Sequence, residues 1–168
     1  MIDPASENTG REMLDYIQIR NKFWSLLSRK ENSVMVLATS ADNMVMARSV
    51  LVIHDEPDLY FFTWKHSRKY HQIEKNNRIS LCRDKVEIEG IAEVVGGMKD
   101  EKNKDILEIL RKKQPNAIES WENKPNMVII RMKPLFACVD GYYIDDDAYL
   151  EYIDFTNQTA YREKWGYY

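Results

Sequence analysis

The sequence predicts a mainly β protein with helices, an α+β fold in which six or seven antiparallel strands close into a small barrel flanked by three helices. Three observations lead there. Short runs rich in Val, Ile, Phe and Tyr recur between turn residues from Ser33 to Tyr143. Several are joined by stretches too short for a parallel crossover, such as Ala41-Asp42-Asn43 and His54 to Asp58 with its Pro57. Helical spacing of apolar residues is confined to three segments, near 11–30, 67–76 and 99–113.

Taken in order, Met13, Leu14, Ile17, Phe23, Trp24 and Leu27 recur at helical spacing, which predicts a helix over 11–30. The period then changes. A strand is expected over 33–40, a second over 44–53 and a third over 59–64, together an antiparallel meander. The run 44–53 is apolar apart from Arg48 and Ser49, the pattern of a strand covered on both faces. After a helix over 67–76 come strands over 78–83 and 86–95, with Gly90 marking a bulge or sharp bend. Ile106, Leu107 and Leu110 form the stripe of the helix over 99–113. Pro115 and Pro125 bracket a loop or short helix that carries Trp121. Two further strands, 127–132 and 135–143, are expected on either side of Lys133-Pro134.

The 168 residues are read as one domain over 11–144, preceded by a flexible start over 1–10 and followed by an acidic and aromatic tail over 145–168. Seven of the ten tyrosines lie from Tyr142 onward, around the run Asp145-Asp146-Asp147, and such a tail is expected to pack on the domain or on a partner subunit. A formal net charge of -3 argues against nucleic acid as partner, because no broad basic face is implied. Cys82 and Cys138 stand far apart with no ligand spacing around them, which predicts no metal site and reduced thiols. No secretory leader pattern or membrane-length apolar run occurs, so the expected location is the cytoplasm.

The stretch 59–76, LYFFTWKHSRKYHQIEKN, carries the chemistry. Lys65, His66, Arg68 and Lys69 gather at the start of a helix, and no acid occurs from Leu59 to Ile73. A helix N-terminus already carries free N–H donors and the positive end of the macrodipole, so cations there are misplaced unless an anion joins them. A phosphate fits, with Ser67 as N-cap or as a donor to it. Arg48, in its apolar strand, is a second cation in need of a partner.

These residues, in this order, resemble the pyridoxamine 5′-phosphate oxidase family. The matching segments are Ala47-Arg48-Ser49-Val50-Leu51, Leu59-Tyr60-Phe61-Phe62-Thr63, Ser67-Arg68-Lys69, His71-Gln72-Ile73-Glu74, Asn77-Arg78-Ile79-Ser80-Leu81 and Gly90-Ile91-Ala92-Glu93. Likeness is dense from about 34 to 95 and absent from the tail. The resemblance implies an FMN-binding split barrel that works as a homodimer, with the flavin between subunits. It implies that Arg48, Ser67, Arg68 and Lys69 hold the FMN phosphate with Thr63 nearby, and that Ser49, Val50, Leu51 and Phe62 line the flavin. It also implies that Lys85 reaches the flavin from the partner, in place of a family Gln.

The departures are as informative. Where the oxidases have a Lys that grips the substrate phosphate, this chain has Ile53. Where they have a basic stretch near the C-terminus, it has Tyr142-Tyr143-Ile144 and three aspartates. The cofactor site is thus expected to be kept and the vitamin site lost, giving an FMN-dependent oxidoreductase of unassigned substrate, nearest the general-stress and uncharacterised branches. The alternatives are a non-enzymatic flavin-binding or redox-sensing module, or a split barrel that binds deazaflavin or haem.

Overall fold

A computed structural model describes residues 11–29, 33–145 and 147–165, in which we count ten strands and four helices. The expected flexible start over 1–10 lies outside the described residues. Every strand pairing is antiparallel. The strands number ten rather than six or seven because short pieces at the ends of the chain and of the meander also pair.

The helix expected over 11–30 divides in two. Arg11–Leu14 is strand β1, and the helix α1 spans Tyr16–Leu27. Asp15 separates them as N-cap, its Oδ1 accepting from the Gln18 N–H at 2.7 Å. Met13 and Leu14 suit either period, and pairing with the last strand of the chain decides for the extended form. Strands β2 (Val34–Ala41) and β3 (Met44–Leu51) form a hairpin whose turn residues Asp42 and Asn43 both have positive φ, 51° and 61°. The run expected to continue to residue 53 breaks at Val52, whose N–H turns to the Ser33 carbonyl at 2.6 Å. A separate short strand, β4 (Ile53–Asp55), then pairs with β5 (Asp58–Trp64).

Helix α2 (Arg68–Lys75) follows, then β6 (Arg78–Arg83) and the long β7 (Val86–Gly97). A 3-10 turn at Glu101–Asn103 leads into α3 (Lys104–Lys113), and α4 (Pro115–Trp121) follows. Strand β8 runs unbroken over Met127–Ile144, where two strands had been expected. Pro134 is tolerated inside it because it faces Gly90 at a register shift of the β7 pairing, where its missing N–H costs no regular ladder bond. The stretch set apart as a tail contains strands β9 (Asp147–Asp154) and β10 (Thr159–Trp165), which extend the same sheet.

The sheet runs β1-β10-β9-β8-β7-β6-β2-β3, with β5 joined to the first half of β8. No pairing among the described residues joins β3 to β5, so the barrel is left open between them. One core fills the barrel, with Leu37, Phe61, Leu81, Ile88 and Ile130 under the Phe23 and Leu27 side chains of α1. A second packs Ile53, Tyr60, Phe62 and Ile129 against Leu110 of α3 and Ile118 of α4. Strand β5 has a core on each side, which is why the run Leu59 to Phe62 is apolar without alternation. Strand β3 does not meet the same expectation: it ends the sheet, and Met44 and Val45 are 59% and 75% exposed. No described helix is long and apolar enough to cross a membrane.

Gly90 is required by close approach. A Cβ there would sit 2.5 Å from the Lys133 carbonyl oxygen and 2.6 Å from Met132 Cε. The carbonyl belongs to paired backbone and has no room to retreat. We expect Gly90→Ala to destabilise the fold by about 1–3 kcal/mol, read as a lower urea midpoint at unchanged slope. An unchanged midpoint would mean that β7 and β8 separate there without cost.

Candidate functional site

The opening between β3 and β5 is a cleft of about 240 Å³ lined by Ser49, Val50 and Leu51 on one side and Phe62, Thr63 and Trp64 on the other. Lys69 closes one end, and Trp121 and Met127 complete the walls. Strand alternation puts Val50 into the core and leaves Ser49 exposed at the rim. Trp121 arrives from α4 and tilts against Phe62, with ring centroids 5.4 Å apart. Apart from Lys69, no side chain lining the cleft is charged.

The cationic end is built where β5 turns into α2. Ser67 caps the helix, with extended backbone at φ -80° and ψ 150°, and its Oγ accepts from the Tyr70 N–H at 3.3 Å. The same oxygen lies 2.7 Å from the Thr63 hydroxyl, which is buried. The first turn of α2 holds no acid, and Arg68 and Lys69 occupy it. The Lys69 ammonium is held below its ordinary pKa, first by burial and then by the charge of Arg48.

Arg48 is half-buried, and all of its recorded partners are neutral. One guanidinium nitrogen donates to the Thr39 hydroxyl at 2.6 Å and to the Leu37 carbonyl at 3.3 Å. The other donates to Oε1 of Gln72 at 3.1 Å. That oxygen also accepts from the Thr39 hydroxyl at 2.6 Å, and the Gln72 amide nitrogen donates to the Met44 carbonyl at 3.1 Å. Burial lowers the Arg48 pKa, though a guanidinium starts far enough above neutrality to stay charged. Among the described residues no carboxylate pairs with Arg48, Arg68 or Lys69, although the basic residues Arg20, Lys75 and Arg111 each have one.

The structure thus brings Ser49, Val50, Leu51, Phe62, Thr63 and Lys69 to one cleft, with Ser67 hydrogen-bonded to Thr63 at its end and Arg48 close enough to Lys69 to shift its pKa. Arg68 stands apart. It is exposed and lines a second hollow of about 300 Å³ with Met46, His71 and Gln72. Lys85 is not in the cleft of its own chain; it lies at the β6–β7 turn and donates to the Gly141 carbonyl. Sequence reasoning gave no role to Thr39, Gln72, Trp64, Trp121 or Met127. The available signal for Gln72 was an uncharged polar residue beside Ile73 on the buried face of a short basic helix. Nothing local marked Thr39 or Trp121.

A family model described as pyridoxamine 5′-phosphate oxidase matches residues 26–135. No curated protein matches the chain. Among solved structures, the general stress protein 26 of Bacillus anthracis is 22% identical with a TM-score of 0.55, covering 78% of this chain and 97% of its own. A FAD-binding protein of Mesorhizobium loti is 14% identical with a TM-score of 0.54, covering 91% of this chain and 97% of its own. HutZ, the haem storage protein of Vibrio cholerae, is 14% identical with a TM-score of 0.56, covering 66% of this chain and 87% of its own. At these identities the structural likeness speaks for the fold alone, an antiparallel split barrel. The family match spans well over half of the chain and contains both the β3–β5 cleft and the α2 start, and so the chain belongs to the pyridoxamine 5′-phosphate oxidase family.

Proposed function

We propose that the cleft between β3 and β5 binds FMN and that the protein is a flavin-dependent oxidoreductase, active as a two-fold dimer. One observation carries the reading: Lys69 closes the end of an otherwise uncharged cleft, Arg48 on the cleft strand β3 is held by neutral partners alone, and among the described residues no carboxylate pairs with either. Two neighbouring desolvated cations repel, and a phosphate dianion between them and the α2 amides would relieve both. Val50, Leu51, Phe62 and Trp121 offer flat apolar contact for an isoalloxazine. Strand β3 pairs only with β2 among the described strands, so its other edge presents backbone N–H and C=O groups to the polar rim of such a ring. The flavin supplies the electron transfer when bound; the protein binds it, orients it and excludes water. The FAD-binding relative of Mesorhizobium loti supports flavin use by this fold.

The dimer rests on uncovered surface. On one face of the β2–β3 hairpin, Val34, Val36 and Ala38 lie opposite Leu51, Ser49 and Ala47, an uncharged patch continuous with the cleft. Val34 and Val36 are 46% and 43% exposed in the single chain. A second copy seated there would cover the patch and close the cleft, whose volume lies below the ~300 Å³ lower end for small-molecule sites.

The vitamin substrate fits poorly. Ile53 is buried in the second core beside Tyr60 and Phe62 and offers no charge to a second phosphate. Arg111, on the helix that follows, is already paired with Glu122 at 2.6 Å. Haem is the second reading, favoured by the Vibrio cholerae relative and by His66, which stacks on Trp64 at a centroid distance of 5.8 Å. The absorption spectrum of the purified protein separates the two, because flavin and haem bands differ.

Three outcomes are expected. FMN should bind far more tightly than riboflavin in a fluorescence-quenching titration, and Arg48→Ala should weaken FMN by about 1.5–3 kcal/mol, roughly ten- to a hundredfold; equal affinities for the two flavins would remove the phosphate assignment. Light scattering of the FMN-loaded protein at micromolar concentration should give twice the chain mass of 19.9 kDa, and a monomeric mass would contradict the dimer. With pyridoxamine 5′-phosphate and oxygen, the loaded protein should form pyridoxal phosphate only very slowly. Turnover at an ordinary enzymatic rate, ~1–10³ s⁻¹, would show that a second phosphate site exists.

A further inference from the structure

Gln72 occupies an unusual place for an uncharged side chain. It is 9% exposed, on the buried face of α2, and its Oε1 takes hydrogen bonds from both Arg48 and Thr39. Its amide nitrogen is fixed by the Met44 carbonyl, which sets which end of the amide faces the guanidinium. The usual partner for a desolvated guanidinium is a carboxylate, which would bond it more strongly and cancel its charge. A glutamate has the same reach as Gln72 and would make that pair. The neutral amide instead holds Arg48 in place without neutralising it.

We propose that Gln72 is a positioning residue for phosphate recognition: it fixes the Arg48 guanidinium through neutral hydrogen bonds, so that the positive charge stays available to an anionic ligand beside Lys69. The proposal rests on the phosphate site described above and adds a residue that touches neither the cleft nor the ligand. Thr39 supports the same clamp from β2, its buried hydroxyl accepting from Arg48 and donating to Gln72. Strands β2 and β3 and helix α2 thereby converge on one guanidinium whose hydrogen-bond partners are all neutral. Lys69, one turn before the Gln72 position on the same helix, has its pKa lowered first by burial and then by the Arg48 charge.

The test is Gln72→Glu, measured against both FMN and riboflavin. A glutamate there should pair with Arg48 while giving up the bond to the Met44 carbonyl, so thermal stability is measured alongside the affinities to show that the variant folds. FMN affinity should fall roughly ten- to a hundredfold, as for the loss of a charge-assisted contact, while riboflavin affinity stays unchanged. FMN binding should also become less sensitive to salt, because one charge has left the site. In an Arg48→Ala background the same substitution should have no further effect on FMN, since no charge remains to cancel. Gln72→Met, uncharged and of similar length, keeps the test open if the glutamate variant does not fold; it should weaken FMN by less and leave riboflavin alone.

Unchanged FMN affinity in a stably folded Gln72→Glu protein would overturn the proposal. A parallel loss for both flavins, together with a lower melting temperature, would overturn it as well, reducing Gln72 to a packing role. A loss of FMN affinity that persists without Arg48 would assign the effect to direct repulsion instead. Equal affinity of the unaltered protein for FMN and riboflavin is a separate result: it would remove the phosphate site on which the proposal stands.

Discussion

Strand β8 has to satisfy three neighbours. Its first half, Met127 to Met132, pairs with β5 on one edge, and its second half, Phe136 to Ile144, pairs with β9. Strand β7 follows it along much of its length on the opposite edge. A flat strand cannot serve two sheets at once, so the β7–β8 ribbon must bend between its halves. The bend falls where Gly90 faces Pro134, one residue without a Cβ and one without an N–H. With β5 carried away from the main path by this bend, β3 is left as a sheet end with β5 across a gap. The cleft is a consequence of sheet topology before it is a matter of side chains.

The charges near that gap are held without carboxylates. Several basic side chains elsewhere are matched to carboxylates: Lys22 to Glu151, Lys113 to Asp55 and Arg131 to Glu93. Arg48 is held by hydroxyl, carbonyl and amide oxygens instead. Such an arrangement is costly in an isolated domain, because a desolvated charge with neutral partners is less stable than a paired one. It makes physical sense where the missing charge comes from a ligand. The cost is held down because Arg48 is only half-buried and makes three hydrogen bonds.

The opposite wall of the cleft depends on the second core. Leu110 and Ile118 seat α3 and α4 on Ile53, Phe62 and Ile129, and this seating carries Trp121 to the cleft. The position at which a substrate-gripping lysine is expected is spent on that core as Ile53.

Local signals in the sequence settled a good deal. Residue spacing located β2, β5, β6, β7, α2 and α3 to within a few residues, and the order of short motifs from Arg48 to Glu93 pointed to the family that residues 26–135 then matched. The cations at the α2 start were visible because they violate the helix dipole, a rule that acts within one turn. What the sequence did not reveal depended on partners distant along the chain. Residues 11–14 became a strand because β10, some 150 residues later, offers an edge, and the C-terminal stretch became two strands because β8 does. Whether β3 would be central or terminal turned on strand order, to which its own apolar run is blind. The Thr39–Gln72 clamp on Arg48 is likewise a meeting of three elements that no spacing announces. Periodicity and local charge are properties of a segment; edges, gaps and shared partners are properties of the assembled sheet.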